Sequence, residues 1–207
     1  VNALEHSMST VVPSFRFNAA NHEYTDEDGR VLPHITGLLE QSGWMDSTWM
    51  DEDSSARGQA VHRLTADFDL GALEIDTCVS RYRPWLLSYV AGSTRLQRPE
   101  HLAVEAPSMH PHYRFGGRPD RVCKIFGIYS ILEIKTKNKD WNVDKATPIQ
   151  TALQAILVSA TYPLPAEAWQ RYAIYLRPDG RFRVQSHDVT KVQDFAEARR
   201  ILRDYCG

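Results

Sequence analysis

The segment "ILEIK", Ile131 to Lys135, carries an acid and a base two positions apart inside an apolar run. On an extended strand, side chains two apart share a face, so Ile131, Glu133 and Lys135 fall on one side and Leu132 and Ile134 on the other. Upstream, "GGRPD" ends in Asp120 at the head of a second strand-like run. A strand and turn of that length set Asp120 beside Glu133 across a hairpin, and the glycines allow close backbone approach. Two carboxylates converging from adjacent strands are oxygen ligands suited to a hard divalent ion such as Mg²⁺ or Mn²⁺. Such an ion lowers the pKa of a bound water and neutralises charge developing on phosphate. A lysine beside it orients that water or stabilises the transition state electrostatically. Phosphodiester hydrolysis is the chemistry such a set performs. The plain alternative for Glu133 and Lys135 is a half-exposed strand with a charged outer face.

These residues need elements to hold them. "SFRFNAANHEYTDEDGRVLPHIT" reads as short extended segments around an Asp28-Gly29 turn, with Pro33 keeping His34 out of a continuing ladder. "ITGLLEQSGW" suits a short helix ending near Gly43. The spacing of Ala56, Ala60, Val61, Leu64 and Phe68 predicts a helix capped by Ser54 or Ser55 and running to about Leu70. A second helix is expected from Ile75 or Asp76 to about Val90, kinked or divided at Pro84. After Pro99 the texture becomes that of strands: "HLAVEAPSM", "FGGRPDRVCKIF", "GIYSILEIKT", then "WQRYAIYLRP" and "RFRVQSHDV" joined as a hairpin through "PDG". Between them, "TPIQTALQAILVSATY" reads as a buried helix with Thr147-Pro148 as cap and first turn. "TKVQDFAEARRILRDY" closes the chain as an amphipathic helix with Val192, Phe195, Ala196, Ala198 or Arg199, and Ile201 or Leu202 near one face.

The expected fold is α/β of the α+β kind, a central mixed β-sheet flanked by helices. All 207 residues read as one domain, with helices over 54–98, the sheet and helix that carry the site over 99–189, and the closing helix over 190–207. The first eight residues, "VNALEHSM", lack periodicity and read as a non-native leader ending at a native Met8.

Composition sets outer limits. A hydrophobic content of 43% with 24% charged residues is that of an ordinary globular protein. No apolar run approaches the roughly 18 residues of a membrane span, and no signal peptide is legible, so a cytoplasmic protein without membrane partners is expected. Cys78, Cys123 and Cys206 are odd in number and far apart, which argues for reduced, mostly buried thiols. Net charge is −2, against a wholly basic nucleic-acid binder. Residues 101–150 nevertheless hold eight Lys/Arg against five Asp/Glu, leaving the remainder at −5 and concentrating positive charge around the central stretch.

Pro119-Asp120 followed by Glu133-Ile134-Lys135 resembles the motif of the PD-(D/E)XK nuclease superfamily. "RGQAVHRLTADFDLG", with Gly58 and His62 one helical turn apart, resembles the histidine motif of its RecB-like, lambda-exonuclease-like and mitochondrial genome maintenance exonuclease branches. "PIQTALQAIL" resembles their glutamine motif, with Gln150 at the motif position. The resemblance covers about Gly58 to Thr161 and implies a restriction-endonuclease-like core. It implies that His62 is an additional metal ligand, Asp120 and Glu133 the carboxylate ligands, and the Ile134 carbonyl a backbone ligand. It makes Lys135 the catalytic lysine and has Gln150 hold that lysine or the attacking water. Glu105 matches an acid often present upstream of the Asp. A histidine ligand favours Mn²⁺ more than an all-carboxylate site would.

The chain also departs from the pattern. An aromatic residue is frequent four positions after the glutamine, where this chain has Gln154; the expected consequence is weaker stacking on substrate with the metal site untouched. The iron-sulfur subgroup needs four cysteines, so no iron-sulfur cluster is expected.

Arg114, Arg118, Lys137, Lys139 and Lys145 flank the motif as candidate phosphate contacts, and Trp141, Trp44 and Trp49 are candidates for stacking on unpaired bases. The acidic run Asp46, Asp51, Glu52 and Asp53 reads as a solvated cap or loop. The function expected is a metal-dependent DNA nuclease, more an exonuclease on single-stranded or end-bearing DNA than a structure- or sequence-specific endonuclease. It looks like compact phage recombination and replication nucleases and would suit a single-strand-binding or annealing protein as partner. Two other readings compete: a nucleic-acid-binding module that has lost the chemistry, and a metal-dependent hydrolase of small phosphoesters.

Overall fold

The computed structural model describes residues 14–46, 52–138 and 144–206. Residues 1–8, Trp49, Asp51, Lys139 and Trp141 lie outside them. The "ILEIK" run sits in a long strand, β8 (Ile128–Thr136), buried from Ser130 to Ile134. β7 (Arg121–Ile125) pairs with it antiparallel through a two-residue turn, Phe126-Gly127, whose φ values of 53° and 79° match the twist of a hairpin. On its other side β9 (Gln170–Leu176) runs parallel. A parallel neighbour demands a crossover, which α4 (Ala146–Val158) supplies. β4 (Glu100–Val104) and β10 (Phe182–Ser186) complete the five-stranded sheet in the order β10-β9-β8-β7-β4, both antiparallel to their neighbours.

The period of two in β8 sorts its side chains between two cores. Ile131 packs with Val122 against α4, α1 (Ile35–Gln41) and α5 (Lys191–Cys206). Leu132 and Ile134 pack with Cys123, Ile125 and Ile174 against Val61 of α2 (Glu52–Asp69) and Tyr89 of α3 (Arg83–Arg95). The protein is thus a mixed sheet with helices on both faces, the class that the sequence predicts.

A smaller sheet, β1 (Arg16–Asn18), β2 (Glu23–Thr25) and β3 (Val31–Leu32), turns at Asp28-Gly29, where Gly29 takes φ 78°. Its Tyr24 lies against the hairpin of β5 (Ser108–His110) and β6 (Phe115–Gly117). A Cβ at Gly116 would stand 2.4 Å from the Tyr24 ring, so only glycine permits this approach. His34 makes one bridge to Gly116 and then caps α1, its Nδ1 accepting the Gly37 N–H at 3.3 Å.

Several boundaries differ from expectation. α2 begins at Glu52, so Ser54 and Ser55 lie in its first turn, where Glu52 and Asp53 complement the helix dipole. Pro84 divides the next segment into a 3-10 turn (Ile75–Thr77) and α3, taking a first-turn position where its missing N–H costs nothing. Thr147 is buried inside α4 and caps nothing; Asp144 Oδ1 accepts the Ala146 N–H at 2.9 Å instead. Val192 is 79% exposed, and the buried face of α5 comprises Asp194, Phe195, Ala198, Ile201 and Leu202. Cys78 and Cys123 are buried free thiols and Cys206 is half-buried. Among the described residues, no helix is long and apolar enough to cross a membrane.

Candidate metal and nucleic-acid site

Three elements deliver the site's acids and imidazole. β4 ends at Val104, and Glu105 follows with φ 49°, a left-handed conformation that costs a non-glycine residue roughly 1–2 kcal/mol. Its N–H donates to the Asp120 carbonyl at 3.0 Å, which pins this turn to the head of β7. The hairpin register pairs Arg121 with Leu132 and so sets Asp120 beside Glu133. Asp120 Oδ2 accepts the Ile134 N–H at 2.6 Å. In an extended strand the N–H and C=O of one residue point the same way, so the Ile134 carbonyl lies on the Asp120 side of β8.

His62, from the middle of α2, meets both acids: its Nδ1 lies 3.1 Å from Glu105 Oε1 and 3.1 Å from Asp120 Oδ1. One ligand atom from each of the three residues falls within 4.8 Å of the others. Burial opposes the imidazolium, but the charges and hydrogen bonds of Asp120 and Glu105 overcome it and push His62 up to about 10. The two carboxylates thus favour positive charge at the position they share with His62. One nitrogen and two carboxylate oxygens at this spacing are donors that fit a divalent first-row ion or Mg²⁺.

Glu133 stands outside that trio in this geometry. It is 3% exposed, yet both oxygens are satisfied. Oε1 accepts from Gln150 Nε2 at 2.7 Å and pairs with Lys135 Nζ at 2.9 Å, and Oε2 accepts from Gln154 Nε2 at 2.8 Å. Lys135 Nζ also donates to Gln150 Oε1 at 2.8 Å. Burial disfavours the ammonium of Lys135, but Glu133 and then Asp120 hold its pKa above the ordinary lysine value. Lys135 is a fixed cation at neutral pH.

Gln154 does not reach the His62–Glu105–Asp120 trio, but it donates to Glu133, an acid that the sequence reading counted among the metal ligands. Residues four apart share a helix face, so a Gln150 aimed at Glu133 brings Gln154 with it. Arg121 is a residue that sequence reasoning missed. It is fully buried, donating from Nη1 to the Asp120 carbonyl at 2.7 Å, from Nη2 to Thr65 Oγ1 at 3.0 Å and from Nε to Asp69 Oδ2 at 2.5 Å. Its Nη1 also lies 3.7 Å from Glu105 Oε1. The legible signal was position alone, since Arg121 opens a strand whose other residues are mostly apolar.

The flanking candidates scatter. Arg118 reaches the site, with Nε 3.1 Å from Glu105 Oε2. Arg114 is instead held by Asp26 in a salt bridge away from the trio. Lys137 follows β8 with its Nζ 5.7 Å from the centre of the Tyr175 ring, and burial lowers its pKa. Lys145 is exposed just before α4. Trp44 packs against the α4–α5 core and donates to Glu197 Oε1 at 2.7 Å, so it is a structural residue and no stacking platform.

No protein-family description matches the chain, and no curated protein matches it. Among solved structures it is similar to a protein from Eubacterium rectale named as a candidate exonuclease, at 12% identity and TM-score 0.46, over 81% of this chain and 72% of that one. A second, SSO0001, is 16% identical at TM-score 0.34, over 82% of this chain and 83% of that one. Both likenesses are remote, and the functional reading rests on the geometry of the site itself.

Proposed function

We propose that the chain is a metal-dependent DNA nuclease, an exonuclease acting on single-stranded or end-bearing DNA. The observation that supports it most is the convergence of His62, Glu105 and Asp120 within 4.8 Å, next to a Glu133–Lys135–Gln150 network. A charged lysine held beside two buried acids suits hydrolysis of a phosphodiester, because negative charge grows on the phosphate as water attacks.

His62, Glu105 and Asp120 would hold Mg²⁺ or Mn²⁺, with Glu133 and the Ile134 carbonyl available from β8. When bound, the ion supplies Lewis acidity at the phosphate and makes water a better nucleophile. Asp120 is kept in place by the Ile134 N–H, and Glu105 by the backbone bond to Asp120. Lys135, fixed by Glu133 and Gln150, faces the growing charge as a cation rather than as a general base, since its pKa is raised. The water oxygen bonds to phosphorus and gives its proton to solvent, while the opposite ribose oxygen leaves with the electron pair of the broken P–O bond and is protonated from solvent. Arg118 and Lys145 are candidates to hold the flanking phosphates, a role that makes binding salt-sensitive.

The test is cleavage of single- and double-stranded DNA, labelled separately at each end, with Mg²⁺, Mn²⁺ or EDTA, beside Lys135→Ala. Cleavage that requires the ion and falls by roughly 10²–10³-fold in the variant is the expected result. DNA binding without cleavage under any ion would replace this reading with that of a binding module.

A further inference from the structure

Among the described residues, Gly37, Gly58 and Gly92 lie within helices, and two of them have a reason inside the chain. A Cβ at Gly92 of α3 would stand 2.1 Å from Ile174 Cδ1 of β9, so only glycine lets that helix lie on the sheet. A Cβ at Gly37 of α1 would stand 3.3 Å from Nε2 of His34, the residue that caps the helix. Gly58, in the interior of the 18-residue α2, differs: a Cβ there would meet nothing within 4 Å.

Glycine inside a helix is less stable than alanine, because it gives up more backbone freedom on folding. No packing among the described residues offsets that cost at Gly58. Its position gives the open space a use. Residues four apart share a helix face, so Gly58 lies on the side of α2 that carries His62, one turn before it. Helical side chains lean toward the N-terminus, which tilts the imidazole toward the turn that holds Gly58. His62 keeps 28% of its side chain exposed while meeting two acids, so this end of the site is open to a ligand. The three candidate ligands converge without Gly58, so the space beside it serves something larger than the ion. Arg57, the preceding residue, is a fixed cation. Its Nη2 donates to Ser54 Oγ at 3.0 Å and its guanidinium lies 5.9 Å from the centre of the Trp85 ring, with no carboxylate paired to it among the described residues. That charge complements a phosphate.

We propose that the DNA strand being cut crosses α2 at Gly58, its sugar–phosphate backbone lying against the bare helix backbone one turn from His62. Gly58 is then a binding position that sets how closely the phosphate approaches the candidate ligands. The inference rests on the nuclease reading and deepens it by giving the strand a path.

Gly58→Ala and Gly58→Leu test it, because both replacements favour the helix more than glycine does. Each should raise Tm by roughly 2–4 °C and leave Mn²⁺ affinity unchanged. KM for a fluorescent single-stranded oligonucleotide should rise by roughly 5-fold in Gly58→Ala and further in Gly58→Leu, as the added side chain overfills the contact. Gln59→Leu, on the exposed face of α2 with Ala56 and Arg63, should keep the wild-type KM. A raised Tm with KM unchanged in both Gly58 variants would overturn the strand path and leave the nuclease reading intact. A lowered Tm or a weaker Mn²⁺ affinity would overturn it as well, since the added side chain would then disturb the chain itself. A wild type that cuts no DNA would overturn the nuclease reading. The strand path is then decided by binding of the same oligonucleotide: weaker affinity in Gly58→Leu than in wild type supports it, and equal affinity, or none in either, overturns it.

Discussion

Two arginines, Arg121 at the start of β7 and Arg171 in β9, are both fully buried in the central sheet, and they serve different ends. Arg121 is surrounded by groups of the candidate site: the Asp120 carbonyl, Glu105, and Thr65, which accepts from it and donates to the His62 carbonyl at 3.0 Å. Arg171 is surrounded by scaffold. It donates to the Pro148 carbonyl at 2.8 Å, the His187 carbonyl at 2.7 Å and Asp194 Oδ2 at 2.8 Å, joining α4 to the start of α5. The electrostatics differ accordingly. Burial opposes both charges, but Tyr89, Asp69 and Asp120 raise the pKa of Arg121, whereas Asp194 does not offset burial at Arg171 and its pKa is lowered. A buried cation amid surplus acid fixes the acids of the candidate site; one bonded to Asp194 and to two carbonyls joins helices.

Replacing each arginine by methionine separates the two roles. Either change leaves a buried acid uncompensated and is expected to destabilise the fold by roughly 3–5 kcal/mol in urea unfolding. Arg121→Met should also weaken Mn²⁺ binding, and Arg171→Met should leave the affinity of its folded fraction unchanged. Equal loss of Mn²⁺ affinity in both would erase the distinction.

Gln154→Leu acts on the site side alone. It leaves Glu133 Oε2 without its donor, a loss of about 1–3 kcal/mol, read as a drop in cleavage rate of roughly 5- to 150-fold with Mn²⁺ affinity reduced less. An unchanged rate would make Gln154 mere packing.

The scaffold side has a pH signature. Burial, then the charge of Arg171, lowers His187 to about 4, below the ordinary value of 6.5. A depressed folded-state pKa means that the unfolded chain takes up the proton first as pH falls. Stability from this group is therefore complete above about 6.5 and is lost as pH drops from there through about 4. The loss is on the order of 1–3 kcal/mol, and His187→Gln should flatten that part of the stability profile. A profile unchanged by the substitution would place the acid sensitivity elsewhere. Smallest is Trp44→Phe, which gives up the bond to Glu197 and should cost about 0.5–1.5 kcal/mol without altering cleavage.

The same contrast explains what the sequence disclosed. Face assignment in β8 was legible because a period of two is fixed by strand geometry, and Asp120 meets Glu133 because a hairpin must pair neighbours in order. Helix boundaries were not: Ser54 and Thr147 have the chemistry of caps, but Glu52 and Asp144 sit where the helix ends fall. Among the site residues, types with unusual chemistry stood out, while Arg121 did not and Gln154 did so only as a departure from the resemblance, without its bond to Glu133. Their significance comes from partners far along the chain, Asp69 to one and Glu133 to the other, and no local pattern encodes those distances. Arg114 erred the other way, since charge near a motif says nothing of Asp26 waiting to bind it.

The metal centre itself is tested by Mn²⁺ binding followed by the electron paramagnetic resonance signal of the free ion, in wild type and Asp120→Asn, with Arg171→Met as the structural control. Saturable binding by wild type and Arg171→Met is predicted, with at least a ~10-fold weaker affinity in Asp120→Asn. Equal binding by wild type and Asp120→Asn, or none by wild type, would contradict a metal centre at His62, Glu105 and Asp120.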